Sequence, residues 1–387
     1  MPTVNVNICP DILHWALRQT SEEKLGKKLM DSIGHWLDGT KVPTFAQIED
    51  FSRRSHIPLG YFFLQTPPAE QIGLLGYRTF DSVELADPSR DLVDTIRAME
   101  AAQDWMSDYR KERGDDTSRV AASLRGKTDA VEIAERIRQD LGLDLEWYRA
   151  CRDATEAFQR LRGCLERCGV VVMMNGIVGK NTHRALDPDE FRAFAMVDEW
   201  APLIFINGAD SLTGRLFSLL HEMAHIWLGE DDLYNGGGDS ARRVRPVEVV
   251  CNAVAGELLV PGAIFLAHWE RSAACEAYAK IEELARYFRC SKSVLARRAL
   301  DSEKIDHMCY EQVVADAIQA YMERKRKKST GGDYYRTAQN RLDGAFVRAL
   351  CESVNSGRTS YTEAYRLSNT TSKTFPQVAE GLGGVLW

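Results

Sequence analysis

The sequence predicts an α+β fold: mostly helical, with a small, mostly antiparallel sheet packed on one amphipathic helix and helical regions to either side. Three observations carry this. Short apolar runs at 170–174, 191–197 and 203–206 lie close together, and the turn signals Asn175-Gly176 and Asn207-Gly208 close two of them. Most of the remaining chain repeats its apolar residues at helical spacing, as in 91–110 and 129–141. A strongly periodic helix follows the last apolar run, with Leu216, Leu219, Leu220, Met223, Ile226 and Trp227 on its apolar side and Gly229 as its stop. Strands bounded so tightly by turns favour antiparallel pairing, with the helices segregated around them.

The elements fall into four regions. Residues 1–75 read as helical and lead through Pro67-Pro68 to a second, charge-rich helical region, 76–165. The apolar runs and their following helices occupy 166–330, and Gly331-Gly332 opens a C-terminal helical segment, 331–387. A chain of 387 residues is long enough for two or three domains. With 49 basic and 56 acidic residues, its net charge of −7 excludes a polycation that coats nucleic acid. The basic run from Arg324 to Lys328 reads as a solvated helix end. The N-terminus lacks the basic start and apolar core of a signal peptide, and no stretch has the roughly 18 apolar residues of a membrane span. Nine scattered cysteines, an odd number, point to a reducing cytoplasm. Cys164 and Cys168 have no second Cys/His pair at zinc-finger spacing and read as packing residues.

The chemistry concentrates in His221-Glu222-Met223-Ala224-His225. On a helix, His221 and His225 project from one face a turn apart, so both imidazoles can reach one zinc ion at about 2.0–2.1 Å. Glu222, rotated around the helix, is placed to act as general base, taking a proton from water that attacks a carbonyl. A catalytic zinc needs a third protein ligand and one open position. The next helix, residues 247–260, is apolar apart from Glu248, Asn252 and Glu257, and an unpaired carboxylate buried there would be costly. A metal removes that cost at Glu248, the preferred third ligand. Glu257 lies on another face nearer the helix end, and His268 is a weaker candidate. Asn252, one turn beyond Glu248, is positioned to hydrogen-bond a ligand from behind. The loop between the helices carries Gly236, Gly237 and Gly238 and reads either as a gate over the cleft or as a plain connector. Tyr234, Arg242, Arg243 and Arg245 are oxyanion candidates among which nothing chooses.

These residues resemble the ImmA/IrrE family of metallo-endopeptidases. The likeness runs through Pro202 to Asn207, Gly214 to Phe217 leading into His221 to Gly229, and Glu248 through Cys251, Asn252, Ala253 and Ala255 to Pro261. Cys251 and Val254 stand where the family usually has Ala and Phe. The resemblance implies zinc held by His221, His225 and Glu248, and cleavage of a helix-turn-helix transcriptional repressor after stress or phage induction. Trp36 to Thr44, Gln47-Ile48 and Ile57 to Leu64 look like the second half of an XRE-type helix-turn-helix module, as in long members of the family. Here the segment from Leu25 to Trp36 is about three residues shorter, which is expected to trim the turn and the recognition helix. Gly331 to Thr337 and Tyr361 to Leu367 resemble the C-terminal part of the same long members. Residues 281–298 form another helix-turn-helix-like stretch, with Ser291 as the expected cap of its second helix.

The expected function is therefore a cytoplasmic zinc endopeptidase that cuts a partner repressor, without membrane attachment. A DNA-binding or toxin–antitoxin component with a purely structural zinc is the alternative. Residues 1–75 are expected to support the fold or dock a partner in preference to reading DNA, since acidic Glu22, Glu23, Asp31 and Asp38 lie among the lysines.

Overall fold

In the computed structural model, which describes residues 4–20, 22–68, 88–230, 232–234, 246–274, 276–326 and 334–386, the chain divides into two units, Met1–Arg97 and Ala98–Trp387. The first contains α1 (Pro10–Arg18), α2 (Glu22–Leu25), α3 (Lys27–Leu37), α4 (Phe45–Ser55) and a 3₁₀ turn over Leu59–Phe63. Each helix turns its apolar residues inward, so Leu13, Trp15, Ile33, Trp36, Ile48, Phe51 and Phe62 share one core. Pro10 suits the first turn of α1, where its missing N–H costs no bond. Thr44 and Gln47 close a reciprocal capping box at the start of α4.

Before Trp36 the chain forms α2, a single turn of four residues, and a connector of one residue, Gly26. Gly26 has φ = 76°, a conformation that lets the chain reverse within one residue and that glycine adopts without steric cost. The helix after the turn, α3, keeps 11 residues. Its exposed face carries Lys27, Lys28, Asp31 and His35, a mixture of charges.

The second unit is built around a four-stranded sheet of β1 (Val171–Asn175), β2 (Ala193–Met196), β3 (Leu203–Asn207) and β4 (Asp232–Tyr234), in the order β1-β3-β2-β4. β2 pairs antiparallel with both β3 and β4, whereas β1 pairs parallel with β3. The sheet is thus mixed and mostly antiparallel, as expected. Every residue of β2 and β3 is buried, which requires cover on both faces.

Helices supply that cover. α5 (Arg90–Arg113) begins in the first unit; within the second, its Gln103 amide donates to the Met196 and Ala201 carbonyls. α6 (Ala130–Leu141), a 3₁₀ turn over Trp147–Ala150 and α7 (Ala154–Arg167) precede the sheet. α8 (Leu212–Leu228) follows β3 and packs its apolar residues against Val172, Ala193, Ala195, Ile204 and Ile206. Next come α9 (Pro246–Leu259), α10 (Gly262–Arg271), α11 (Ala277–Tyr287), α12 (Lys292–Asp301) and α13 (His307–Arg326). Ser291 caps α12 through the Val294 N–H, and Ile281, Leu284, Leu295, Ala296 and Ala299 turn the α11–α12 hairpin onto the core. Among the described residues no single helix is long and apolar enough to cross a membrane. The bent α9–α10 pair reaches that composition because its apolar residues line the core.

The C-terminal helices α14 (Tyr334–Arg341), α15 (Gly344–Asn355), α16 (Tyr361–Leu367) and α17 (Phe375–Gly381) close the edge of the sheet. β1 is an edge strand, and its exposed amides would invite foreign pairing. Asp343, fully buried, accepts from the Val172 N–H of that strand at 3.1 Å and from the Phe346 N–H of α15 at 3.0 Å. Arg162 answers on the acceptor side, donating to Val172 O at 2.8 Å, to Asn340 O at 2.8 Å and to Leu342 O. Burial pushes the Asp343 carboxyl above its ordinary range, against the opposing pull of the Arg162 charge.

Candidate metal centre

Two helices meet at the site, and both ends of the arrangement are fixed. α8 starts at Ser211, whose hydroxyl accepts from the Gly214 N–H at 3.0 Å, satisfying one amide that has no partner within the helix. It stops at Gly229, with φ = 76°, whose N–H bonds back to His225 O and Ile226 O. A side chain at Gly229 would place its Cβ 2.6 Å from Ala122 Cβ, so the stop needs glycine for space as well as for conformation. The neighbouring segment completes the helix end. Ala122 N–H donates to Ile226 O at 2.9 Å and Leu124 N–H to Trp227 O at 2.8 Å, satisfying carbonyls of the last turn. The Trp227 indole in turn donates to the Asp140 carboxylate at 2.9 Å.

α9 is held in a similar way. The Glu257 carbonyl accepts from Arg138 at 3.0 Å and the Leu258 carbonyl from the Trp147 indole at 3.0 Å. Asp140, Arg138, Trp147 and Ala122 all brace the metal-bearing helices, and nothing in the sequence marked them. They lie about 90 to 120 residues from their partners and carry no local pattern.

Between the helices, His221, His225 and Glu248 bring one ligand atom each to within 4.8 Å of one another. The two Nε2 atoms are 3.1 Å apart. Glu248 Oε2 lies 3.3 Å from His221 Nε2, and Oε1 lies 3.5 Å from His225 Nε2. Ligands on tetrahedral zinc, at about 2.0–2.1 Å from the metal, are separated by about 3.3 Å. The three spacings are therefore those of a donor set that one zinc ion can bridge. The protonation pattern agrees. Asn252 Oδ1 is 3.1 Å from His221 Nδ1, so Nδ1 carries the proton and Nε2 presents its lone pair toward His225 and Glu248.

The electrostatics follow from burial. Both histidines are fully buried. Desolvation lowers the His221 pKa from 6.5, against the opposing pull of the Glu248 carboxylate, and so favours the neutral ring that a metal requires. Burial alone would raise the Glu248 carboxyl, but its contacts with His221 and His225 hold it well below the usual range. Glu222 is fully buried on α8, immediately after the first histidine. Glu257 is not part of the group: it pairs with Arg298 at 3.0 Å and accepts from the Gly262 N–H at 3.1 Å. His268 packs against Tyr287 with ring centroids 4.2 Å apart and the rings tilted by 40°, and it stands outside the group as well. The 236–238 loop, the Tyr234 side chain, Arg242, Arg243 and Arg245 lie outside the described residues.

Residues 165–300 match the family model of the IrrE N-terminal-like domain (Peptidase_M78). The matched stretch takes in β1 to β3, α8 and α9, and so every residue of the candidate centre. The match supports a metallopeptidase-type function. A second match, at residues 342–381, is to a domain of unknown function (DUF8813), and it covers Asp343 and α15 to α17. No curated protein matches the chain.

Proposed function

We propose that this protein is a cytoplasmic zinc endopeptidase that hydrolyses a peptide bond in a partner helix-turn-helix repressor. In this reading His221, His225 and Glu248 hold the zinc, Asn252 orients His221 and Glu222 is the general base. The observation that carries it is the convergence of His221, His225 and Glu248 beside the fully buried Glu222. When bound, zinc would supply Lewis acidity to the scissile carbonyl and make water acidic near neutral pH.

The chain's own groups divide the remaining work. Glu222 accepts the proton of the attacking water and returns it to the departing amine, which leaves the carboxylate unchanged over the cycle. Its burial excludes bulk water, so the proton is not lost to solvent. Asn252 keeps the His221 proton on Nδ1, away from the metal side. The braces on α8 and α9 keep the donor atoms together through turnover.

The number of ligands favours catalysis over the alternative of a DNA-binding or toxin–antitoxin component. A structural zinc is closed by four protein ligands, and among the described residues this group offers three. The first unit is assigned to fold support or partner docking in this reading, with DNA the less favoured partner.

The test is to incubate zinc-loaded protein with helix-turn-helix repressors encoded beside it and to map fragments by mass spectrometry. A single cut, abolished by a chelator and restored by zinc, is expected. Intact repressors, or cuts indifferent to the chelator, would sink the assignment.

A further inference from the structure

The buried polar residues of α8 form one stripe. Ser218, His221, Glu222 and His225 are at most 1% exposed and follow one another at i, i+3, i+4 and i+7, the spacing of a single helical face. Leu216, Leu219, Leu220, Met223 and Trp227 belong instead to the apolar core that α8 shares with the sheet. Three members of the polar stripe are the two candidate ligands and the glutamate beside them. The fourth, Ser218, stands one turn before Glu222. A hydroxyl inside a helix commonly bonds the carbonyl four residues back. Ser32 does so with Lys28 O at 2.9 Å, Ser55 with Phe51 O at 2.8 Å and Thr95 with Asp91 O at 2.7 Å. Ser218 does not: its Oγ is buried and has no hydrogen-bonding partner among the described protein atoms. Leaving a buried hydroxyl unpaired is costly.

We propose that Ser218 is a positioning residue: its hydroxyl donates to one buried water, which donates in turn to the Glu222 carboxylate and fixes its orientation. This rests on the reading of Glu222 as the general base. Helical side chains lean toward the preceding turn, and the residue one turn before Glu222 on its face is Ser218. Residues so placed have Cβ atoms about 5–6 Å apart, close to the span of two O–H···O bonds of about 2.8 Å each. An ionised carboxylate only accepts, a hydroxyl can donate, and a water does both. The chain Ser218–water–Glu222 therefore gives the buried hydroxyl an acceptor and the buried carboxylate a donor. The last torsion of a free glutamate is broad. Held from behind, the carboxylate meets the attacking water at one angle, on which the proton transfer depends.

The experiment compares the full wild-type chain with Ser218→Ala, Ser218→Thr and a control, Ser107→Ala, which removes from α5 another buried hydroxyl without a partner. Circular dichroism and metal analysis confirm that each variant is folded and carries one zinc. Ser218→Ala should lower kcat for repressor cleavage about tenfold or more, short of the about 10²–10⁴-fold worth of a general base itself, and leave KM unchanged. Ser218→Thr keeps the hydroxyl and should retain wild-type kcat, as should Ser107→Ala. Crystal structures of the zinc-free protein supply a readout apart from activity. Wild type and Ser218→Thr should show one water within about 3.0 Å of both the residue-218 hydroxyl and a Glu222 oxygen, and Ser218→Ala should show none there. A wild-type structure in which no water joins the two side chains overturns the proposal and leaves Glu222 as the base. So does wild-type kcat in Ser218→Ala, or a loss as deep in Ser218→Thr or Ser107→Ala. A wild-type protein that cleaves no repressor overturns the general-base reading, and this proposal with it.

Discussion

His221 can face a metal only while its proton stays on Nδ1, and Asn252 Oδ1, 3.1 Å away, is what keeps it there. Asn252→Ala should therefore weaken zinc binding about 10- to 100-fold without abolishing it, whereas Asn252→Asp keeps an acceptor and should hold the metal better. Competition with a colorimetric chelator measures both, and unchanged affinity in Asn252→Ala would remove the asparagine from the account. The pH dependence has a definite sign. Only a neutral imidazole binds metal, and burial lowers the His221 pKa below 6.5. Zinc should thus be fully held above pH 6.5 and lost only as pH falls through the lowered value. Dialysis at stepped pH followed by metal analysis would show it, and half-release at or above pH 6.5 would contradict it. Much of this centre is legible in the sequence because H-E-x-x-H fixes two side chains on one helical face by spacing alone. The choice of Glu248 over Glu257 draws on the place of Glu257, on another face of the same helix and nearer its end. What the sequence does not carry is the Arg298 guanidinium that engages Glu257 from 41 residues away. Glu257→Ala should accordingly keep its zinc, and Glu248→Ala should lose it.

At the level of elements, helices and strands follow from periodicity and turn residues, but their mutual placement does not. The three apolar runs become β1, β2 and β3, with β2 confined to Ala193–Met196 of the run 191–197, and Ser291 caps the helix it precedes. The parallel β1–β3 pairing has no local signature, because β2 separates the two strands in the chain but pairs on the far side of β3 in the sheet. The closure of β1 by Asp343 is equally silent in the sequence, since Val172 and Asp343 are 171 residues apart. Its removal should be costly: Asp343→Ala deletes a helix cap worth about 1 kcal/mol and strands a buried N–H worth about 1–3 kcal/mol. It also leaves the buried Arg162 charge without its facing anion. A loss of about 3 kcal/mol or more in urea unfolding is expected. A change within 0.5 kcal/mol would show that the C-terminal helices do not secure the edge.

For the whole molecule, the catalytic reading rests in the second unit, whose residues 165–300 match the IrrE N-terminal-like domain. The first unit is a helical module on whose α3 Asp31 stands among Lys27, Lys28 and His35. Bands of promoter DNA shifted by the isolated residues 1–68, but not bands of scrambled DNA, would reverse the preference for fold support or partner docking. The expected result is no selective shift at about 0.15 M salt. The central claim, that a buried glutamate beside a metal performs peptide hydrolysis, is tested most directly by the cleavage rate of Glu222→Gln carrying its full complement of zinc. An amide cannot accept the proton of water, so the rate on a cleaved repressor should fall at least about 100-fold while metal content stays at one per chain. Cleavage at the wild-type rate would contradict the account.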